Sequence, residues 1–237
     1  MDIPNSLAVI FLAALIQTCF QLSVSVLTLL SGHTIGSKRS QAKLLRLTSS
    51  FVIGVGVMTM LMLSFISLVL FDIYGPNAPQ IIWAVGCGIL LGVAIAVWIF
   101  YYRREKGTVL WIPRGVATYL TKRTKSTKMS AEAFGLGLMS VVGELLFIVA
   151  PLIISALVLT QLPAVWQLAG IAIYTIVSML SLIIVWVLIG SGHTLGRIQK
   201  WREDNKHFMQ FVAGAGLIIL SFFVYASEII VNVAGKA

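Results

Sequence analysis

Apolar and polar positions divide the chain into six long apolar segments joined by polar loops, at about 7–30, 50–72, 81–102, 133–158, 165–190 and 209–232. Each approaches or exceeds the roughly 20 residues that a helix needs to cross a bilayer. Backbone polar groups in hydrocarbon must be paired within their own segment, so each segment is predicted to be a transmembrane helix. The expected fold class is an all-α integral membrane protein forming one transmembrane domain over 1–237. A mean hydropathy of +0.99 and only 11% charged residues leave no room for a separate soluble domain.

The fourth segment, about 133–158, carries one carboxylate near its middle, Glu144. A charge at that depth costs roughly 2.5–3.5 kcal/mol on insertion scales, so it needs a partner or a purpose. Gly135, Gly137 and Gly143 precede it, Ser140 lies one turn before it, and Pro151 is expected to interrupt the helix seven residues later. An offset of 123 residues brings the first segment into register: Phe11 falls on Phe134, Leu15 on Leu138, Leu22 on Leu145 and Val26 on Val149. Gln21 then falls on Glu144, Gln17 on Ser140 and Thr28 on Pro151. Repeat one is read as about 7–102, the connecting loop as about 103–132 and repeat two as about 133–232. Three helices per half is an odd number, so the second half is inverted relative to the first. Inverted repeats with interrupted helices at the midplane are the layout of many secondary transporters.

Charge changes the picture by its placement. Sixteen of the 17 basic residues fall in the loops after the first, third and fifth helices, and only Lys236 lies on the other side. The positive-inside rule puts those loops in the cytoplasm and both termini outside, in the cell inner (plasma) membrane. The same assignment removes the case for nucleic acid, because the basic residues act as topology determinants beside anionic lipid. The opening MDIPNS lacks a positive n-region, so the first segment is read as a retained helix. Cys19 and Cys87 sit inside apolar segments, which argues against a disulfide.

Other polar groups are weighed against plainer readings. Gln17, Gln21, Ser25 and Thr28 share one face of a continuous first helix, either a helix–helix seam or a solute path. Ser31-Gly-His33-Thr and Ser191-Gly-His193-Thr repeat at the cytoplasmic ends of helices one and five. The two imidazoles either tune a cytoplasmic mouth or simply end two helices. Gly86, Gly88 and Gly92 offer a packing face on helix three. Residues 115–121 read as a short interfacial helix. Tyr174, Ser178 and Ser181 make helix five mildly polar. Glu228 is placed at the external rim of helix six, where hydration is the plain reading.

The segment QTCFQLSVSVL around Gln21, MSVVGELLFIVAPL around Glu144 with Pro151, and GAGLIILSFFVYASE ending in Glu228 resemble the LysE-type exporter superfamily. The nearest layout is that of the CadD-type cadmium-resistance transporters, with the manganese exporters more distant. The resemblance implies six helices in a 3+3 inverted repeat and an acidic residue in the middle of helices one and four. Gln21 replaces the first of those acids. The thiol-relay branch pairs cysteines in these helices, whereas Cys19 falls on Val142.

The resulting expectation is a secondary transporter, an exporter of a small cationic or polar solute, coupled to a proton or ion through Glu144. The alternative is a non-transporting accessory or assembly subunit in which the mid-membrane polar contact is structural. The expected partners are the lipid bilayer and a small solute or cation, with a homodimer left open and no nucleic acid. With no GxSxG, HExxH or Walker A pattern, neither an enzyme nor a cofactor is expected, and the choice of metal stays open.

Overall fold

The computed structural model describes residues 2–20, 22–35, 41–101, 114–191 and 195–230, with the side chains of 22, 32–35, 41, 101, 114, 195, 196, 198 and 199 excepted. Every described element is helical. Four continuous helices are long and apolar enough to cross a membrane, and six spans result if two bent pairs each count as one.

With each bent pair counted as one span, span one is the first pair, α1 (Ile3–Thr18) and α2 (Leu22–Ile35), kinked by 45°. Span two is α3 (Gln41–Tyr74), and span three is α4 (Gln80–Ala96) with a π-helical extension, Val97–Tyr101. The basic α5 (Arg114–Ser126) leads into span four, α6 (Ser130–Thr160). Span five is the second bent pair, α7 (Ala164–Ser178) and α8 (Leu180–Gly190), kinked by 51°. A short α9 (Leu195–Asp204) precedes span six, α10 (Lys206–Val224), which also ends in a π-helical segment, Tyr225–Ile230.

Local chemistry sets the boundaries. Pro4 sits in the first turn of α1, where its missing N–H is not needed. Gly75 adopts a φ of 66° after α3, a left-handed turn that favours glycine, and Pro79 and Pro163 cap α4 and α7. Glu132 accepts the free N–H groups of Lys128 and Met129 at 2.8 and 3.2 Å, starting α6. Pro151, expected to interrupt its helix, lies inside an unbroken α6. Neighbouring groups take up the backbone groups that a proline frees in a membrane helix, and α6 is the most enclosed of the four continuous spans. Its apolar window is 72% buried, against 28–33% for the other three continuous spans.

The breaks fall instead in spans one and five, where hydroxyls compete for the helical carbonyls. Thr18 Oγ1 shares its one hydrogen between Ala14 O at 3.1 Å and a carbonyl on span five, while Thr175 Oγ1 and Ser178 Oγ donate to Ile171 O and Thr175 O. The N–H groups of Cys19, Phe20 and Met179 then bond three residues back instead of four, tightening and ending both helices.

Helix directions follow from the contacts. α1 runs parallel to α7, with Ile10 beside Gly170 and Thr18 beside Val177. α3 runs parallel to α6, with Gly54 beside Gly137 and Ser67 beside Ala156. α4 runs antiparallel to α10, with Cys87 beside Ser221 and Val97 beside Gln210. Span one crosses α6 in antiparallel fashion, and Phe20 stacks on Phe147 with ring centroids 5.9 Å apart. Spans one and five therefore run one way and spans two and four the other, while spans three and six oppose each other. Gly86 packs on Ile154, but a Cβ at Gly88 or Gly92 would meet nothing, so the expected glycine face of helix three reduces to one residue. The outer surface carries many large apolar side chains, with Phe65, Leu68, Ile81, Leu168 and Phe222 all exposed, as suits a chain solvated by lipid.

Candidate functional site

The two helix breaks meet. Thr18 Oγ1 reaches across from the end of α1 and donates to the carbonyl of Val177, at the end of α7, at 2.6 Å. Just beyond the break, the N–H of Ser23 donates to Glu144 Oε1 at 2.8 Å. Ser23 is the second residue of α2, so its N–H has no partner within the helix. A carboxylate from α6 thus caps a half-helix in the interior of the bundle. The positive end of the helix dipole and a charge-assisted hydrogen bond both favour a carboxylate there.

Hydroxyls extend the contact. Ser23 Oγ and Ser140 Oγ lie 3.2 Å apart, and Ser140 Oγ donates to Gly137 O at 2.8 Å. Gln17 accepts a hydrogen bond from Tyr174 through Oε1 at 2.5 Å, which ties α1 to α7 one turn before the breaks. Glu144, Gln17, Ser140 and Tyr174 are all buried. Between the breaks lies a cavity of about 20 Å³ lined by Gln17, Ser23, Thr59, Glu144, Ser178 and Ser181, among others. It has room for one water-sized guest. Thr59, on α3, is 1% exposed, and its Oγ1 has no hydrogen-bond partner among the described residues.

Three of the residues singled out in the sequence, Glu144, Gln17 and Ser140, gather around the breaks. Pro151 lies two turns further along α6 and does not line the cavity. Gln21, the expected partner of Glu144, lies outside the described residues, and so do His193 and the side chain of His33. The polar stripe of helix one is split by the break: Gln17 faces Tyr174, whereas Ser25 accepts a hydrogen bond from buried Arg202 at 2.7 Å. Glu228 is 4% exposed and accepts a bond from Gln161 Nε2 at 3.2 Å, so it is enclosed rather than hydrated.

Ser23, Thr59 and Thr18 received no role in the sequence. Single hydroxyls in apolar segments carry no periodic signal, and only tertiary packing gives them partners. The Tyr174–Gln17 bond is directly testable. Tyr174→Phe is expected to lower stability by about 1–3 kcal/mol, because it leaves a buried amide oxygen unpaired. Adding Gln17→Leu should recover part of that loss, and unfolding of the two single variants and the double variant would show it. An unchanged unfolding midpoint in Tyr174→Phe would remove the bond from the account of stability.

Among the described residues no group of three or more His, Cys, Asp or Glu side chains is placed to hold a metal ion. The chain matches no family model, no curated protein and no solved structure.

Proposed function

We propose that this chain is a secondary transporter, an exporter of a small cationic or polar solute, coupled to a proton or ion through Glu144. One observation carries the reading: two discontinuous spans place their broken ends together inside the bundle, against a single buried carboxylate and a small polar cavity. Half-helix ends facing a midplane site supply dipoles and unpaired backbone groups for ions, and a break provides a hinge for alternating access.

A 3+3 inverted repeat fits the packing. If spans one, two and three correspond to four, five and six, the parallel pair of spans one and five maps onto the parallel pair of four and two. Spans three and six, which pack on each other, map onto one another, and both end in a π-helical segment. The symmetry is imperfect, since the breaks fall in spans one and five. Kinship with the LysE-type exporters is proposed on the sequence motifs and this layout. A cadmium- or manganese-type site is less well supported, because such ions draw on several charged or soft ligands and Glu144 is the one acid lining the cavity among the described residues.

The proposed orientation places the basic loops in the cytoplasm of a plasma-membrane protein. The basic helices α5 and α9 both pack against α2, which gathers their charge at one end of the bundle. Single cysteines on a Cys-less background should react with an impermeant reagent from outside at position 77 and not at position 125. The reverse pattern would overturn the orientation.

Transport itself is tested in vesicles carrying the purified chain and a trapped pH dye. An imposed pH gradient should collapse when a transported cation is offered and persist in protein-free vesicles. A gradient that persists across a panel of inorganic and organic cations would overturn the transport reading.

A further inference from the structure

We infer that the groove between α5 and the start of α6 is a binding site for one anionic phospholipid, with its phosphate at Tyr119 and Arg123 and its chains along Gly135 and Met139. The groove has a volume of about 380 Å³ and is lined by Tyr119, Arg123 and Thr127 on one side and by Glu132, Gly135 and Met139 on the other, among others. That volume falls within the range of about 300–1,000 Å³ found for ligand pockets. The site is independent of the transport reading and rests only on the chain lying in a membrane.

The polar end is built on α5. Tyr119 and Arg123 are four residues apart on one face of that helix, and both are exposed. Neither the Tyr119 hydroxyl nor the Arg123 guanidinium has a hydrogen-bond partner among the described residues. The opposite face of α5 is committed to protein: Leu120 and Thr124 are buried, and Val116 packs against the core. The helix is therefore held by α2 and α6, and not by an apolar face sunk in the bilayer. Ser126 and Thr127 hydroxyls donate to the Arg123 carbonyl at 3.0 and 2.8 Å, which fixes the backbone that carries the guanidinium. A planar fork and a hydroxyl on one fixed face match the oxygens of a phosphodiester.

Charge selects the headgroup. Residues 114–132 carry five basic side chains and one acid, so this end of the groove is positive overall. The acid, Glu132, lines the groove, but its Oε2 accepts the N–H groups of Lys128 and Met129, which offset part of its charge. The basic excess favours an anionic headgroup over a zwitterionic one. The other end selects an amphiphile. Ala131, Gly135 and Met139 follow at four-residue spacing along α6, an apolar stripe about 12 Å long. A Cβ at Gly135 would meet nothing within 4 Å, so the stripe is open to a chain there. Met139 is exposed, and its unbranched thioether adapts to an acyl chain. A water-soluble phosphate ester would leave this half of the groove unfilled.

The test uses the purified full-length chain in detergent micelles, titrated with phosphatidylglycerol, with phosphatidylcholine of the same chains, or with glycerol phosphate. Phosphatidylglycerol should raise the unfolding temperature saturably, and the other two should not. Arg123→Ala should weaken the apparent affinity about fivefold, the scale of one basic side chain at an anionic surface. Gly135→Leu keeps every charge and fills the trough, so it should abolish the lipid dependence. Lys125→Ala removes the same charge from the same helix but lies outside the groove lining, and should retain most of the affinity. Affinity is read from the lipid dependence, so a variant that starts from a lower unfolding temperature still reports on the site. Equal stabilisation by the two lipids, or equal losses in Arg123→Ala and Lys125→Ala, would reduce the effect to solvation or surface charge and overturn the site. Stabilisation by glycerol phosphate matching that by phosphatidylglycerol would overturn the lipid as the ligand. A dimer in lipid-free detergent that Gly135→Leu dissociates would assign the groove to a second copy of the chain instead.

Discussion

Glu144→Gln is expected to reduce coupled cation flux to the level of protein-free vesicles while leaving the protein folded. The amide has nearly the same volume, and its oxygen can still accept the Ser23 N–H that Glu144 holds at 2.8 Å. The stability change should therefore stay within about 1 kcal/mol. What the amide lacks is a proton to give up and a charge to offer, and both are needed for coupling. Glu144→Leu separates the two roles. It leaves the Ser23 N–H unpaired in a buried site, at a cost of about 1–3 kcal/mol, and should lower the unfolding temperature as well as the flux. Flux measured beside thermal unfolding decides between the readings. Full activity in Glu144→Gln would mean that the carboxylate only pins α2 to α6, as an accessory subunit would require.

The largest loss of stability is expected where α3 crosses α6. A Cβ at Gly54 would run into the Phe134 carbonyl, and one at Gly137 would run into the Phe51 carbonyl. Both obstacles are backbone, so no side-chain rotation relieves them and the helices must separate. Overpacking of an ordinary core costs about 1–3 kcal/mol. Gly54→Leu and Gly137→Leu should exceed that range and sharply reduce the yield of folded protein. Gly88→Ala and Gly92→Ala, where an added Cβ meets nothing within 4 Å, serve as controls expected to be silent. Size-exclusion profiles and unfolding temperatures of the four variants provide the comparison. Wild-type behaviour of Gly137→Leu would show that the close crossing is dispensable.

These contrasts show what the sequence could and could not reveal. The apolar segments were legible because burial in lipid requires about 20 apolar residues in a row. Glu144 was legible because one carboxylate among such residues is costly, and the structure encloses its helix more than any other continuous span. The breaks were not legible. Proline is the usual local signal for an interrupted helix, yet α6 passes through Pro151 unbroken. The hydroxyls at the breaks resemble those inside unbroken helices, such as Thr48 and Thr124, and what sets the breaks apart is Thr18 meeting a carbonyl on another span and Glu144 meeting the Ser23 N–H, contacts that join residues far apart in the chain. The glycines behaved similarly. Gly54 and Gly137 look no different in sequence from Gly88 and Gly92, and only the helix crossing separates them.

The Ser23–Glu144 bond also bears on the order in which the protein is made. Its two partners lie 121 residues apart, so span one is synthesised well before its cap exists. An exposed N–H in hydrocarbon is costly, so a nascent first span in the bilayer is better off as a straight helix than as a bent one. The same holds for α8, whose 11 residues extend only about 16 Å, roughly half the hydrocarbon thickness, so it cannot stand across the bilayer without α7. The kinks are thus late events in biogenesis. The kink of span one forms once span four has arrived to cap α2, and that of span five follows, since span five is made after span four.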